Sequence, residues 1–513
     1  MPSSRLAAFS VLLAALGVAG AAAWPGEARG SEAVAEPALE LPAAPAEGGA
    51  ASTLGAENAV VPTPTPPVEI PPEIAAEFAR LRSELEELKR ATKTAGPKSS
   101  AAKKSGPQDG AKKGRPSVKF GGQVQGDQVM FSQDEVSKQT VGSLQNGAQF
   151  RRLRIGARGE AWRQLQYALG VDFALANQPS FLDNYVEAND LPVIGNVRAG
   201  HFFEPFSLER VTQNFNNTFM ERSSVDTFAP ARNMGAMAFG NAENELATWQ
   251  IGTFRTNSDN TGNDSFDSGQ ALTMRGTWLP FWDEASDGRS YLHLGAAYSY
   301  RDAFQNQVRF RNTPEIRKQQ PPDVLGPVKV PPSNYQNGVP SPFAPIFVDT
   351  GIIKDVDHFQ LFDPEFALIM GPLSLQSEYA FAAVHRTGRP DLFFNGYMAQ
   401  VSYFLTGEHR PYDRTLGIHS RVRPFEDFFH VRTKSQGIQT GLGAWEVAAR
   451  YSNIVLNDKD IQGNNLTDFT IGLNWYLNPY TRWKFNYIRA FLEDKRAGNS
   501  ITDAYGMRFD YDF

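Results

Sequence analysis

The chain contains no cysteine in 513 residues. That excludes thiol nucleophiles, disulfide frameworks, thiolate-bound zinc and iron–sulfur clusters, and an acylated N-terminal cysteine. Long apolar runs are nearly as scarce. Only Leu6 to Ala23 approaches the ~18 residues a spanning helix needs. A mean hydropathy of −0.39 leaves no room for a bundle of membrane helices, yet it is compatible with membrane strands, whose residues alternate. Nor is there an excess of positive charge: 50 Lys and Arg against 56 Asp and Glu give −6, so nothing points to nucleic acid. The seven histidines show no His-Glu-x-x-His spacing, and no Gly-x-Ser-x-Gly elbow or phosphate-cradling glycine loop occurs. Aspartates and glutamates are scattered, so spacing selects no catalytic pair. No enzyme, cofactor or metal is implied.

What is present begins with an export address. Arg5, the apolar run with Leu12, Leu13 and Leu16, and the small residues Ala21-Ala22-Ala23 read as a cleaved signal peptide over residues 1–23, the alternative being a single membrane anchor. Residues 24–72 are rich in Ala and Pro, including Pro62-Thr63-Pro64-Thr65-Pro66-Pro67, and cannot bury enough apolar area to fold, which predicts a disordered tether. Over 73–93, Ile74, Phe78, Leu81, Leu85 and Leu88 recur at heptad spacing among charged neighbours. Such a seam predicts a short coiled coil between copies of the chain, or else a solitary amphipathic helix. Residues 94–117 form a basic flexible linker.

From residue 118 to 513 the texture changes to short runs of period two separated by Gly, Asn, Asp and Pro. Leu165, Tyr167, Leu169, Val171 and Phe173 alternate with polar and small residues, as do Trp445, Val447, Ala449 and Tyr451, and Phe469, Ile471, Leu473, Trp475 and Leu477. Aromatics gather near the ends of these runs. Apolar-out, polar-in alternation of this kind predicts an all-β fold, a transmembrane antiparallel barrel of about 16 strands. A soluble β-sandwich or β-helix would not need the last run, where Tyr505, Met507, Phe509, Tyr511 and Phe513 alternate with Gly506, Arg508, Asp510 and Asp512 up to the final residue. Phe513 then serves as the signal to the outer-membrane assembly machinery. The expected surroundings are the cell outer membrane and its lipid, with the N-terminal segment in the periplasm. Two connections are long: Glu204 to Asn233, which is placed to enter the lumen, and the Pro-rich Asp302 to Asp357.

Several blocks carry a resemblance: Phe150-Arg151-Arg152-Leu153-Arg154-Ile155-Gly156, His201-Phe202-Phe203-Glu204-Pro205-Phe206, Phe219-Met220-Glu221-Arg222, Ser402-Tyr403-Phe404-Leu405-Thr406-Gly407-Glu408 and Asn474-Trp475-Tyr476-Leu477-Asn478-Pro479. In order and across the barrel region, they resemble the phosphate-selective porin O and P family. The resemblance implies a homotrimer of sixteen-stranded barrels that conducts small anions, phosphate or polyphosphate among them, past pore-lining arginines and lysines. It does not extend to residues 24–117. One departure is Phe203, which stands where that family carries lysine.

Independently of the resemblance, an anion path needs fixed positive charge, and guanidinium offers a permanent charge with a planar fork of donors. Arg152, Arg154 and Arg158 share one face of a predicted strand, with successive positions roughly 6.6 Å apart. Lys119, Arg198, Arg450 and Lys484 fall on other inward positions, and Arg210, Arg222 and Arg232 lie in the long loop. The competing role for these side chains is structural pairing with carboxylates such as Glu160, Asp172, Glu187 and Glu446. Two further readings stay open: a general nutrient porin without phosphate preference, and an envelope tether that grips the cell wall through residues 24–117 with the barrel as its anchor.

Overall fold

The computed structural model describes residues 116–513 apart from 175–178, 257–268, 317–334, 337–338, 341–345, 429–430, 434–436 and 440. The expectations for residues 1–115 therefore lie outside the described residues. No helix among those described is long and apolar enough to cross a membrane.

Sixteen strands follow one another antiparallel: β1 (Lys119–Gln133), β2 (Gly147–Trp162), β3 (Leu165–Asp172), β4 (Asn184–Leu191), β5 (Gly195–Phe203), β6 (Arg232–Asn241), β7 (Ala247–Arg255), β8 (Gln270–Trp282), β9 (Ser290–Asp302), β10 (Val356–Met370), β11 (Leu373–Arg386), β12 (Leu392–Phe404), β13 (Ala444–Asp458), β14 (Ile461–Asn478), β15 (Thr481–Asp494) and β16 (Gly498–Asp512). The sheet closes where β1 pairs with β16, from Gln123↔Asp512 to Gln133↔Thr502. Closure leaves no free edge, which lets a sheet stand in a bilayer with every ladder group paired. The alternation settles which side faces out. On β14, Asp468, Thr470 and Asn474 are buried toward the lumen, whereas Phe469 and Ile471 are exposed on the outer wall. Outward aromatics stack across strands, Trp445 on Trp475 (5.0 Å) at one level and Tyr397 on Tyr451 (5.7 Å) at another.

The wall is uneven. Strands β3 to β7 hold 8 to 10 residues and β8 to β16 hold 13 to 18. Up to β11 the connections alternate between tight turns at one end and longer loops at the other, and Ser117 and Phe513 both lie at the turn end. The first loop carries a short helix, α1 (Glu135–Val141), capped by Asp134 and latched to β16 through Ser137 and Thr502 (2.7 Å between hydroxyls).

Polar-in alternation holds only in part. At the loop ends of β10 to β15 the inward residues include Phe359, Leu361, Ala382, Phe394, Leu456 and Leu466, all buried. They pack against Phe206, Val225 and Phe228 of the 204–231 loop and Phe310, Val348 and Ile353 of the 303–355 loop. Loops folded inside the lumen give this half of the barrel a hydrophobic core, so inward positions there are apolar for the ordinary reason of burial.

Candidate functional site

The 204–231 loop leaves β5, forms the short helix α2 (Leu208–Val211) and crosses the lumen before entering β6. Its anchors are buried. Glu378 on β11 accepts from the Ser207 hydroxyl (2.5 Å) and from the Glu209 amide (2.9 Å). Glu209 in turn accepts from the amide and hydroxyl of Ser223. From β15 and β16, Lys484 donates to the carbonyls of Asn217 and Phe219, both at 2.7 Å, and Arg508 donates to that of Met220.

A second segment narrows the lumen from the other end. The β12–β13 connection sits at the turn end yet runs from 405 to 443, and its first part folds inward as a plug. Arg410 pairs with Glu446 and donates to the Asn216 carbonyl (2.9 Å), Asn216 donates to His419 O (3.3 Å), and Arg275 donates to Gly417 O (2.9 Å). Burial drives the His419 imidazole well below its ordinary basicity, and the neighbouring Arg410, His293 and Arg275 push the same way.

What remains open lies against the short strands. Under the loop sits a constricted space of about 70 Å³ lined by Arg151, Arg152, Arg154, Arg210, Arg222 and Arg232. It adjoins a larger cavity of about 440 Å³ toward the turn end, lined by Arg154, Arg158, Arg198 and Arg232 among others. The two share Arg154, Leu182, Phe203, Asn214 and Arg232. Eight arginines thus meet three lining carboxylates, Asp172, Asp183 and Asp512. Glu187, Glu221 and Asp226 pair with some of the arginines, while Asp512 is taken by Arg421, which lines neither space.

The arginines differ in how far their donors are spent. Arg152 donates to Gln125 (2.5 Å) and lies 3.8 Å from Glu221. Arg154 pairs with Asp172 at 2.7 Å and Arg198 with Glu187 at 2.6 Å. Arg158 is exposed to the larger cavity and has no hydrogen-bond or ion-pair partner among the described residues. In the loop, Arg210 pairs with Asp226 (3.0 Å) and Arg222 donates to the carbonyls of Glu209 and Arg210, while Arg232, expected in the loop, opens β6 and forks onto Asp183 (2.9 and 2.8 Å). Burial lowers the Arg222 guanidinium to about 10, with Asp226 opposing and Arg210 and Arg232 adding to the fall, so it is charged at neutral pH.

Three other expectations change. Arg450 occupies an inward position but is sealed behind the loop, paired with Glu315 (2.6 Å) and Glu209 (2.9 Å). Lys484 is likewise fully buried and spent on loop carbonyls. Neither reaches the open path, because loops cover that side of the lumen. Lys119 lies at the exposed start of β1, across from Arg158 in register and outside both cavities.

Strict alternation also misses a residue. Between Gln125↔Arg152 and Gly126↔Phe150 the β1–β2 register slips, so Arg151 is an extra residue turned inward beside Arg152. There it forks onto Glu221 at 2.8 and 2.9 Å. The signal was in the sequence: in Arg151-Arg152 one guanidinium would face lipid in a regular strand, at about 2–4 kcal/mol near mid-membrane, and a bulge avoids that cost. Among the described residues no group of side chains could hold a metal ion.

Comparison with known proteins bears on this geometry. The profile described as "Phosphate-selective porin O and P" matches residues 118–323 and 345–513. Porin O of Pseudomonas aeruginosa is 26% identical over 420 residues, which cover 76% of this chain and 86% of that protein. An uncharacterized protein of Caulobacter vibrioides is 26% identical over 355 residues, 66% of this chain and 62% of that one. Among solved structures, the anion-selective porin from Comamonas acidovorans aligns over 78% of this chain and 100% of its own, with a TM-score of 0.43 and 12% identity. With a closed sixteen-stranded barrel and matches over most of its length, the chain belongs to the phosphate-selective porin O and P family, and it is a channel of the outer membrane rather than an enzyme.

Proposed function

We propose that the channel passes small anions, phosphate among them, passively along the arginine-lined side of the lumen. The observation that carries this is the continuity of charge: Arg151, Arg152, Arg154 and Arg158 descend one wall, and Arg154 and Arg232 belong to both cavities. An anion leaving one guanidinium meets the next before it is rehydrated. Most of these side chains already hold a carboxylate or amide partner, which keeps each site weak, and weak sites in series are what conduction requires. The family's description as phosphate-selective supports phosphate as one of the anions.

The remainder of the reading rests on the sequence and on the small residues of the outer wall. Residues 1–23 direct export, and 24–117 form a periplasmic tether with a coiled coil at 73–93, entering β1 at the turn end. Three copies associate through the low wall of β3 to β6, whose outward positions include Ala188, Ala199, Ala236 and Ala238, small enough for close approach. Phe513 presents the closing strand to the assembly machinery, and outer-membrane lipid surrounds the remaining wall.

Planar bilayers test the channel reading. In a KCl gradient the reversal potential is expected on the anion side, with phosphate reducing the chloride current. Replacing Arg154 and Arg158 by Ala should move the potential toward zero. A cation-selective potential that these replacements leave unmoved defeats the anion path while keeping the pore.

A further inference from the structure

The neck between the two cavities is not lined by charge alone. Phe203 belongs to both, and it sits directly across from Arg232 in the β5–β6 register. The Arg232 guanidinium lies 3.8 Å from the centre of the Phe203 ring, with Arg222 at 5.7 Å and Arg210 at 5.9 Å. A second stack stands in the larger cavity, where Arg198 lies 4.1 Å from the ring centre of Tyr185 and 5.1 Å from that of Phe239. Leu416 and Ile418 of the plug also line this cavity, Leu416 packing on the same cluster as Tyr185 and Phe239.

Stacking uses the face of a guanidinium and leaves its N–H groups to oxyanions. Arg232 and Arg222 spend Nε and Nη2 on Asp183 and on loop carbonyls, so Nη1 of each is what an incoming anion would meet. The ring itself offers an anion nothing, since its face is electronegative. A bare, strongly hydrated anion at this neck therefore sheds water on the Phe203 side and gains no replacement contact there. An anion that carries an aromatic or alkyl group has a partner for each wall, arginines for its oxygens and Phe203, Tyr185 and the plug's apolar residues for its tail. The larger cavity, at about 440 Å³, has the room a small organic ligand needs.

Resting on the anion-channel reading above, we propose that the path favours organic oxyanions bearing an apolar group, such as aryl phosphates, over inorganic phosphate, and that Phe203 sets this preference.

The test uses the full-length channel in planar bilayers, titrating the KCl current with inorganic phosphate and with phenyl phosphate at about pH 8.5, where both are dianions. Phenyl phosphate is expected to half-block at about tenfold lower concentration, the order that one added aromatic contact supplies. Phe203→Lys should bring the two within about twofold of each other while the channel stays anion-selective. Phe203→Leu, which keeps an apolar side chain in the neck, should lower the ratio partway. Equal block by both anions in the native channel overturns the proposal, as does an undiminished ratio in both variants. A native channel that selects cations and is blocked by neither anion overturns the anion-channel reading and this preference with it, so the two failures are told apart by the reversal potential.

Discussion

Replacing Glu221 by Gln tests the claim that one loop carboxylate holds the arginines of β2 in place. Glu221 lies at the crossing of the 204–231 loop with the wall, 5% exposed. It accepts the Arg151 fork at 2.8 and 2.9 Å and Arg508 Nη2 at 2.6 Å, and faces Arg152 at 3.8 Å. Glutamine keeps the shape and removes the charge. Arg508 retains Asp127 at 2.7 Å, but Arg151 and Arg152 lose the one carboxylate that pairs with them among the described residues. Breaking a buried pair from one side costs about 3–5 kcal/mol. The amide recovers about 1.5–3 kcal/mol as a hydrogen-bond acceptor from a charged donor. A net loss of about 2 kcal/mol raises the population of the released loop roughly 30-fold. Limited trypsin digestion at Arg222 reads that population, and a bilayer reversal potential reads the added positive charge as stronger anion selectivity. The native clamp should also withstand acid. Burial pushes the Glu221 carboxyl up, but Arg151, Arg508 and Arg152 together hold it well below its ordinary 4.5. A carboxylate depressed in the folded state stabilises above its unfolded pKa and is lost only as pH falls through the lower value, so protection at pH 4.5 should match that at pH 7. Digestion and reversal potential both unchanged in Glu221→Gln would refute the clamp.

The plug offers a pH dependence of the opposite kind. His419 is held neutral by burial and by neighbouring cations, so seating of the plug is complete above 6.5 and should weaken by up to about 1.4 kcal/mol per pH unit below it, seen as larger or noisier conductance at pH 5.5 that His419→Gln flattens. Gly417 has φ +68°, and a Cβ there would stand 2.7 Å from Thr277 Oγ1. Gly417→Ala should therefore cost the plug about 1–2 kcal/mol and raise single-channel conductance without lowering the barrel's melting temperature. Phe394→Ala empties a fully buried site beside Phe310 in the lumenal core and should cost about 3–5 kcal/mol, measurable as earlier heat-induced loss of barrel migration in gels.

The barrel was legible because its wall obeys period two, and the closing strand from Tyr505 to Phe513 was legible for the same reason. Both long loops could be placed by their lack of that period. Three things were hidden. Leu361, Ala382 and Phe394 are apolar on the inward face, and nothing in a single strand says that a loop will cover them. The 405–443 segment is a third long connection, not among the two singled out from the sequence, and its destination depends on Glu446, Thr277 and Tyr291, which come from three other strands. The inward positions of Arg450 and Lys484 could be read, whereas their partners could not, since Glu315, Glu209 and two loop carbonyls reach them only after the loops fold in.

That last point explains where the path lies. Alternation places cations all around the inner wall, so charge alone does not choose a route. The loops choose it by spending donors. On β13 to β16, Arg450, Arg482, Lys484 and Arg508 are each at most 1% exposed and bound to carboxylates or loop carbonyls, which turns that half of the lumen into packed interior. On β2 to β6, Arg154, Arg158 and Arg232 still line open space. The same substitution should then read out differently by position. Arg158→Glu should shift selectivity with little effect on stability, because no partner is lost. Arg450→Glu should collapse the Glu315–Glu209 cluster and unfold the loop before any change in selectivity could be measured. Equal effects of the two on stability would mean that the loops do not divide the lumen in this way.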